Sequence, residues 1–288
     1  MHKTDRNAVF LVDGKFIYYR SLYALLKTDL DSMESSLYYL FVKTLLSIAK
    51  GIQTKRENLI PKPIIICWDS KHSYRKMAFP AYKKKHRTIS EDVRKLIAKS
   101  LPNLMNWMHR IGLLNVYFPG YEADDVFAAY TTRIPECCYV VISNDEDIYQ
   151  LLNKKVCMCK LKKDKKIIYT CSDFEGEHDD IRASDWAYVK AIAGCKSDCI
   201  PGVNGIGEKR AIRFIKGELD DRSSKKILDN NRLVLFYYTL VKLPYLNKKL
   251  PVEVVERKFN FEEFTKFCQI YNLRSFIYKL DEFQEVFG

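Results

Sequence analysis

The stretch Ala8-Val9-Phe10-Leu11-Val12-Asp13 sets the pattern on which the fold prediction depends. Its apolar run, with β-branched and aromatic side chains, is typical of a buried strand, and the run ends directly at a carboxylate. The same pattern recurs at three further apolar runs, 64–68, 115–118 and 139–143, each followed closely by acids. Helical segments separate these runs. The chain therefore predicts an α/β fold with a mostly parallel central sheet flanked by helices.

The other predicted elements are a helix over 37–52, a helix over 89–111, a helix over 123–133, a short helix through Leu152, a hairpin over 156–170 with its tip at 162–166, and mainly helices from about 184. The helix over 89–111 is expected to be interrupted near Pro102, because proline lacks the amide hydrogen that a helix interior uses.

Composition excludes several classes of protein. Apolar residues are 47% and charged residues 29% of 288 residues, which fits one or two globular domains and not a disordered chain. No apolar run is long enough to cross a bilayer, and the first residues do not form a signal peptide, so we expect an intracellular protein with no membrane partner. The nine cysteines match no zinc-binding spacing and are expected to be free thiols.

The charge of the chain favours a phosphate-rich partner. The formal net charge is +12, and residues 70–99 contain ten Lys and Arg but only two acids, Glu91 and Asp92. A basic excess concentrated in one segment favours nucleic acid over a merely basic, soluble protein.

The acids that follow the strands are the most informative feature. In a parallel sheet they would project from one edge, where α/β folds bind ligands. Converging carboxylates repel one another unless a cation neutralises them, and two divalent ions form the arrangement that cleaves phosphodiesters. The seven acids at the four strand ends are Asp13, Asp69, Glu122, Asp124, Asp125, Asp145 and Asp147.

Each acid also has a simpler explanation. Asp13 could belong to an ordinary turn with Gly14, and Asp145 could cap the helix that follows it. Asp124 and Asp125 could simply favour a helix N-terminus. Recurrence at four strand ends favours the metal site over a separate explanation for each acid.

A glycine-rich turn, Gly202-Val203-Asn204-Gly205-Ile206-Gly207, precedes a helix expected to begin near Glu208. Glycines allow backbone N–H groups to approach a phosphate, and the positive end of a helix favours that anion. The alternative is a plain connector between helices.

Several ordered motifs resemble the flap endonuclease and 5′-3′ exonuclease family, in particular its phage and bacterial members. The matching segments, in the family's order over about 8–215, are Val9-Phe10-Leu11-Val12-Asp13-Gly14, Cys67-Trp68-Asp69, Pro80-Ala81-Tyr82-Lys83, Tyr121-Glu122-Ala123-Asp124-Asp125, Ser143-Asn144-Asp145-Glu146-Asp147 and the stretch 191–207. The resemblance implies a PIN-like 5′-nuclease fold with two Mg²⁺ ions, which Mn²⁺ can replace.

The resemblance also implies a role for each acid. One metal site matches Asp13, Asp69, Glu122 and Asp124, with Asp125 close by, and the other matches Asp145, Asp147 and Asp198. The chain departs from the family at Cys195, where members commonly have a carboxylate. A neutral thiol is a poor ligand for magnesium, so the second site is expected to be weaker.

Residues that contact DNA follow from the same resemblance. The turn at 202–207 matches the hairpin of a helix–three-turn–helix element over about 184–216, which often holds K⁺. The segment 70–110 matches an arch that the unpaired 5′ strand passes through. The implied catalytic residues are Lys83, Arg75, Asp13 and Asp124, and the implied DNA-binding residues are Tyr82, Lys84, Arg87, Gly202, Gly205, Gly207, Lys209 and Arg210. Arg75 and Arg87 are expected to clamp phosphates, and Tyr82 to stack on an unpaired base or else lie in the core.

We therefore expect a nuclease core over 1–180 and a packed helical region over 181–288. The expected function is a structure-specific 5′-nuclease of DNA replication or repair, acting as a monomer on 5′ flaps or 5′ ends and also on RNA–DNA hybrids. Replication proteins are candidate partners, in a bacterial or phage-infected cytoplasm. The alternative is a structure-specific DNA-binding protein with weak or no catalysis, because Cys195 replaces a carboxylate.

Overall fold

The computed structural model describes residues 4–26, 30–54, 57–84, 89–163, 165–255 and 257–287. The strands are β1 (Thr4–Asp13), β2 (Ile52–Gln53), β3 (Glu57–Trp68), β4 (Leu114–Tyr117), β5 (Tyr139–Ile142), β6 (Val156–Lys162) and β7 (Lys165–Tyr169). The helices are α1 (Gly14–Leu25), α2 (Leu30–Ala49), α3 (Tyr74–Ala78), α4 (Glu91–Arg110), α5 (Ala123–Arg133), α6 (Cys171–Glu177), α7 (Trp186–Ala193), α8 (Glu208–Ile215), α9 (Asp221–Asp229), α10 (Asn231–Val241), α11 (Phe261–Ile270), α12 (Arg274–Ile277) and α13 (Leu280–Phe287). Short 3₁₀ helices cover Glu146–Leu151, Ala183–Asp185 and Tyr245–Asn247.

The first of two compact units comprises Met1–Trp68, Thr88–Val116 and Glu253–Gly288. Its strands β1 and β3 run parallel, with Asp13 in register with Cys67, while β2 pairs antiparallel with β3. Phe10, Leu11 and Val12 of β1 are completely buried, as their apolar run predicts. The helices α1, α2, α4, α11, α12 and α13 belong to this unit.

The second unit comprises Asp69–Arg87 and Tyr117–Val252. Its strands β5 and β6 run parallel, and β6 and β7 form the predicted antiparallel hairpin. Every residue of β5 is buried, which explains why the run lacks polar alternation. The α/β class is confirmed, and the strands form parallel and antiparallel pairs.

Three details differ from the sequence predictions. The helix α4 continues through Pro102, whose ring faces solvent while Leu104 and Trp107 lie buried and hold the helix in place. The helix α2 ends at Ala49, because the chain turns at Gly51, with φ of 83°, into β2. The short helix after β5 is a 3₁₀ helix.

Neither unit has a boundary near residue 180, so the division of the chain there stays a prediction. None of the helices in the described part of the chain is both long enough and apolar enough to cross a membrane.

The first turn of α1 lies against β3 so closely that only glycine fits there. A Cβ atom at Gly14 would lie 2.7 Å from ring carbons of Trp68 and 2.8 Å from Cγ2 of Ile66. We expect Gly14→Ala to lower the free energy of unfolding by about 1–3 kcal/mol, although alanine is the better helix former. The measurement is urea denaturation. The matched control is Gly176→Ala in α6, where nothing lies within 4 Å, and there we expect a gain of roughly 0.5–1 kcal/mol. Equal effects at the two positions would contradict the steric explanation.

Candidate active site

The N-terminus of α5 gathers acids from two separate segments of the second unit. Glu122 directly precedes the helix, and Asp124 lies in its first turn. Asp69, which follows β3, accepts a hydrogen bond at Oδ1 from the backbone N–H of Ala123 at 2.8 Å. The unpaired N–H groups and the dipole of a helix N-terminus favour these charges. Three of the predicted ligands of the first metal site therefore meet at one helix end.

Arg75 and Asp125 form a buried ion pair beside this helix end. The guanidinium binds both carboxylate oxygens, at 2.6 and 2.7 Å, and its Nε donates to the carbonyl of Leu240 at 2.7 Å. Asp125 also accepts from the backbone N–H groups of Glu122 and Tyr245, at 3.0 and 2.7 Å. Arg75 is 2% exposed and Asp125 is completely buried. The structure therefore corrects two expectations: Arg75 does not face a phosphate, and Asp125 is committed to protein contacts and not to a metal.

Lys83 lies between the acids at the start of α5 and Asp198, which belongs to the loop after α7. Its Nζ is 2.8 Å from Oε2 of Glu122 and 3.9 Å from Oδ1 of Asp198, while its backbone N–H donates to the carbonyl of Asp198. The φ of Lys83 is 49°, a left-handed conformation that is unusual for a side-chain-bearing residue. The predicted active-site lysine therefore contacts a carboxylate from each group.

Tyr82 differs from the expected base-stacking residue. Its ring is only 3% exposed, and its hydroxyl donates to Oε2 of Glu122 at 3.1 Å. A base needs an open ring face, which the core around Tyr82 does not offer. The core alternative for Tyr82 is therefore the correct one, and the residue positions Glu122.

A second group of metal-ligating side chains lies between the 3₁₀ helix at 146–151 and the loop after α7. Ligand atoms of Asp147, Cys195 and Asp198 all lie within 4.8 Å of one another, and all three residues are buried. Lys190 of α7 forms an ion pair with Oδ1 of Asp147 at 2.8 Å. Asp145 is the N-cap of the 3₁₀ helix, accepting from the N–H of Asp147, so its capping explanation is confirmed and its role as a ligand stays a prediction.

Electrostatics differ sharply between the two groups. Burial opposes ionisation of Glu122, but Lys83 and Arg75 lower the pKa of this carboxyl to about 2. Burial and the neighbouring Asp147 carboxylate raise the pKa of Asp198 to about 7. Burial, together with Asp147 and Asp198, raises the pKa of the Cys195 thiol to about 11. Glu122 is therefore ionised at neutral pH, while the Asp198 carboxyl is partly protonated and the Cys195 thiol is protonated, and a cation bound to these two groups must displace their protons.

The glycines of the 202–207 turn have different surroundings. Gly202 is buried, and a Cβ there would lie 2.3 Å from the backbone N of Gly194, so packing inside the protein explains this glycine. Gly205 is exposed with φ of 77°, and Arg210 donates to its carbonyl at 2.9 Å. Gly207 is the N-cap of α8. The structure therefore leaves Gly205 and Gly207 as the exposed glycines of the turn.

The remaining predicted residues have these positions. Asp13 caps α1 in the first unit, accepting from the N–H of Phe16 at 2.8 Å, and its place at the metal site stays a prediction. Lys84 and Lys209 are exposed, and Arg87 lies outside the described residues.

Lys190 was not among the site residues predicted from the sequence. The available signal was its position as the one charged residue of α7, whose other residues are Trp186, Ala187, Tyr188, Val189, Ala191, Ile192 and Ala193. A lone cation on an otherwise apolar helix needs a nearby anion when it is buried. The anion belongs to a residue 43 positions earlier, so only the tertiary structure reveals it.

Comparisons with known proteins identify the family of this chain. Residues 8–178 match the family model "5′-3′ exonuclease, N-terminal resolvase-like domain". A 5′-3′ exonuclease of Halalkalibacterium halodurans is 30% identical over 72% of this chain and 69% of its own length. The chain thus belongs to the 5′-3′ exonuclease family of metal-dependent nucleases, which are hydrolases.

Other relatives are longer. The thermostable DNA polymerase I of Thermus thermophilus is 33% identical over 73% of this chain, but the match covers only 24% of that polymerase. Among solved structures, a bacteriophage T5 protein co-crystallised with metal ions has a TM-score of 0.67 and 24% identity, over 83% of this chain and 90% of its own. The phage T5 flap endonuclease in a complex with DNA and metal ions has a TM-score of 0.63 and 22% identity over the same shares. At these identities the two structures confirm the fold.

Substitution of Arg75 tests whether this residue stabilises the fold through Asp125 or serves to bind phosphate. We expect Arg75→Met to lower the free energy of unfolding by about 3–5 kcal/mol, because it leaves the Asp125 carboxylate buried without its partner. The measurement is urea denaturation in the absence of DNA. The control is Lys84→Met in the same basic segment, which is exposed and should change stability by less than about 0.5 kcal/mol. An unchanged unfolding midpoint for Arg75→Met would contradict the anchoring role.

The raised pKa of Asp198 predicts a pH-dependent metal affinity. The pKa of Asp198 is about 7. At a pH below this value the carboxyl is protonated and a divalent ion must displace its proton, whereas at a higher pH the carboxylate is already free to bind. We expect Mn²⁺ affinity to rise with pH through this range and binding to release protons. Calorimetric titration in buffers of different ionisation enthalpy counts those protons. Asp198→Asn should lower the number of protons released, and an unchanged number in this variant would assign the proton elsewhere.

Proposed function

We propose that this chain is a structure-specific 5′-nuclease that hydrolyses DNA phosphodiester bonds with two divalent metal ions. The observation that supports this most is the position of Lys83, which contacts Glu122 of the first acid group and Asp198 of the second. A scissile phosphate held between two metal-binding groups would lie beside this ammonium. The side chain of Lys83 is partly exposed, and Glu122, followed by Tyr82 and Asp198, raises the pKa of its ammonium well above the usual value, so the ammonium stays charged.

The donor atoms suit the proposed ions. Asp69, Glu122 and Asp124 would supply oxygen ligands for the first ion, with Asp13 as the family resemblance implies, and oxygen is what Mg²⁺ prefers, with Mn²⁺ as a substitute. Asp145, Asp147 and Asp198 would hold the second. Bound ions would activate water and neutralise charge on the phosphate. Lys83 would stabilise the charge that develops on the phosphate oxygens, because it is already fixed in place by Glu122.

DNA would contact the surface around Gly205 and Gly207. Their exposed backbone, the N-terminus of α8 and the exposed Lys209 suit the phosphates of a duplex, with K⁺ at the hairpin as the family resemblance implies. The DNA complex of the phage T5 neighbour supports this substrate. We extend the proposal to 5′ flaps, 5′ ends and RNA–DNA hybrids, handled by a monomer in the cytoplasm during replication or repair, with replication proteins as partners.

A second candidate is a structure-specific DNA-binding protein with weak or no catalysis. The observation that favours it is the second acid group, where Cys195 replaces a carboxylate and Lys190 already neutralises Asp147. Such a site could bind magnesium too weakly to catalyse cleavage. Binding to a junction would then survive without cleavage.

Cleavage of a 5′-end-labelled flap duplex, titrated with Mg²⁺ and Mn²⁺, tests the proposal. We expect a short labelled product from the native chain and a loss of at least about 100-fold in rate for Asp124→Ala, because an ion at the first site loses a ligand where charge must be stabilised. Flap binding, measured by fluorescence anisotropy, should persist in that variant.

The matched control is Glu136→Ala, an exposed acid just after α5, which should cleave at the native rate. Product length distinguishes flap cutting from end trimming. Binding without cleavage at every metal concentration would favour the DNA-binding alternative, and equal cleavage by Asp124→Ala would remove the first acid group from the mechanism.

A further inference from the structure

The second acid group has a donor set unlike that of an ordinary magnesium site. Its three buried ligand atoms are a sulfur of Cys195 and carboxylate oxygens of Asp147 and Asp198, mutually within 4.8 Å. The loop after α7 fixes the main chain of Cys195, because backbone hydrogen bonds of 2.8 and 2.9 Å pair this residue with Ile200 in both directions. The thiol therefore extends from a well-defined backbone position beside the two carboxylates.

The surroundings of this thiol are polar. Its Sγ lies 2.9 Å from Oγ of Ser197, 3.5 Å from Oδ2 of Asp198 and 3.9 Å from Nζ of Lys190. A buried cysteine that serves only the core behaves as a small hydrophobe among apolar neighbours. The sulfur of Cys195 instead lies beside a hydroxyl, a carboxylate and an ammonium.

The carboxylate of Asp147 can accept a further contact. The residue is 7% exposed, and its Oδ1 is paired with the ammonium of Lys190 at 2.8 Å. A carboxylate oxygen has two lone pairs, so one partner does not saturate it. Because ligand atoms of Cys195 and Asp198 lie within 4.8 Å, a cation bound among them would contact the carboxylate of Asp147 as well.

We propose that Cys195 is itself a metal ligand, and that it makes the Asp147–Cys195–Asp198 cluster prefer a softer divalent ion, such as Zn²⁺ or Co²⁺, over Mg²⁺. This inference deepens the proposed function and rests on it. Thiolate sulfur selects softer ions, while Mg²⁺ prefers oxygen ligands. Three protein ligands and one water molecule are a common coordination of zinc. On binding, the thiol S–H bond breaks, its proton passes to solvent, and a sulfur–metal bond forms with no change of oxidation state.

Charge supports the same selectivity. Where the family commonly has a carboxylate, this chain has a neutral thiol, and Lys190 adds a positive charge beside Asp147. A hard ion such as Mg²⁺ depends on ligand charge, so it loses more from these changes than an ion that bonds well to sulfur.

The test uses Co²⁺ as a spectroscopic probe on the full-length chain. A thiolate bound to Co²⁺ gives a charge-transfer absorption band in the near ultraviolet. We expect the band in the native chain, its loss in Cys195→Ser, and its retention in Cys199→Ser, the matched control four residues away in the same loop. We also expect Zn²⁺ to displace Co²⁺ at far lower concentration than Mg²⁺ does.

Cys195→Asp should restore the preference for Mg²⁺. The ratio of Zn²⁺ to Mg²⁺ affinity should fall by more than the roughly 10- to 100-fold that loss of an outer-shell partner costs. Zinc X-ray absorption on the native chain needs no variant, and it should show one sulfur neighbour at about 2.3 Å. A band that survives in Cys195→Ser, an oxygen-only zinc shell or an unchanged affinity ratio would overturn the inference.

These outcomes are separate from those of the flap assay. A cysteine-dependent band without cleavage by any metal would leave the metal preference standing and refute the nuclease. Cleavage that depends on Asp124, with no cysteine-dependent band, would leave the nuclease standing and refute the role of Cys195.

Discussion

The buried ion pair between Arg75 and Asp125 is the contact on which the candidate active site depends. Asp125 receives the guanidinium and the N–H groups of Glu122 and Tyr245, while Arg75 also reaches the carbonyl of Leu240. One charged pair thus joins α3, the start of α5 and the chain around α10. Such a pair is costly to desolvate and is tolerated only because every charged atom in it has a partner. Its effect is to fix Glu122 and Asp124 at a rigid helix end.

The acids of the site are balanced by internal cations. Lys83 compensates Glu122 and Asp198, and Lys190 compensates Asp147. Without such charges, converging carboxylates would raise one another's pKa and destabilise the fold. The balance is uneven, since Glu122 remains ionised while Asp198 has a pKa of about 7. The two groups therefore differ in how readily they would accept a cation, and Cys195 adds to that difference.

Much of the fold followed from local pattern. The run ending at Asp13 and the run 139–143 are buried strands, and α5 has the predicted bounds of 123–133. Tertiary packing overrode a local rule in α4, where Pro102 does not break the helix because its opposite face is buried. The end of α2 has a local cause, because Gly51, with φ of 83°, turns the chain after Ala49.

By itself the sequence determined the α/β class, the family and the set of acids at the strand ends, because these depend on periodicity and on residue order along the chain. Only the tertiary structure decided which charged residues face one another. Arg75 and Asp125 looked like functional residues, yet they anchor each other 50 positions apart. Lys190 was not predicted to be a site residue, yet it forms an ion pair with Asp147. The physical reason is that burial and charge pairing depend on distances between remote residues, which no local spacing encodes.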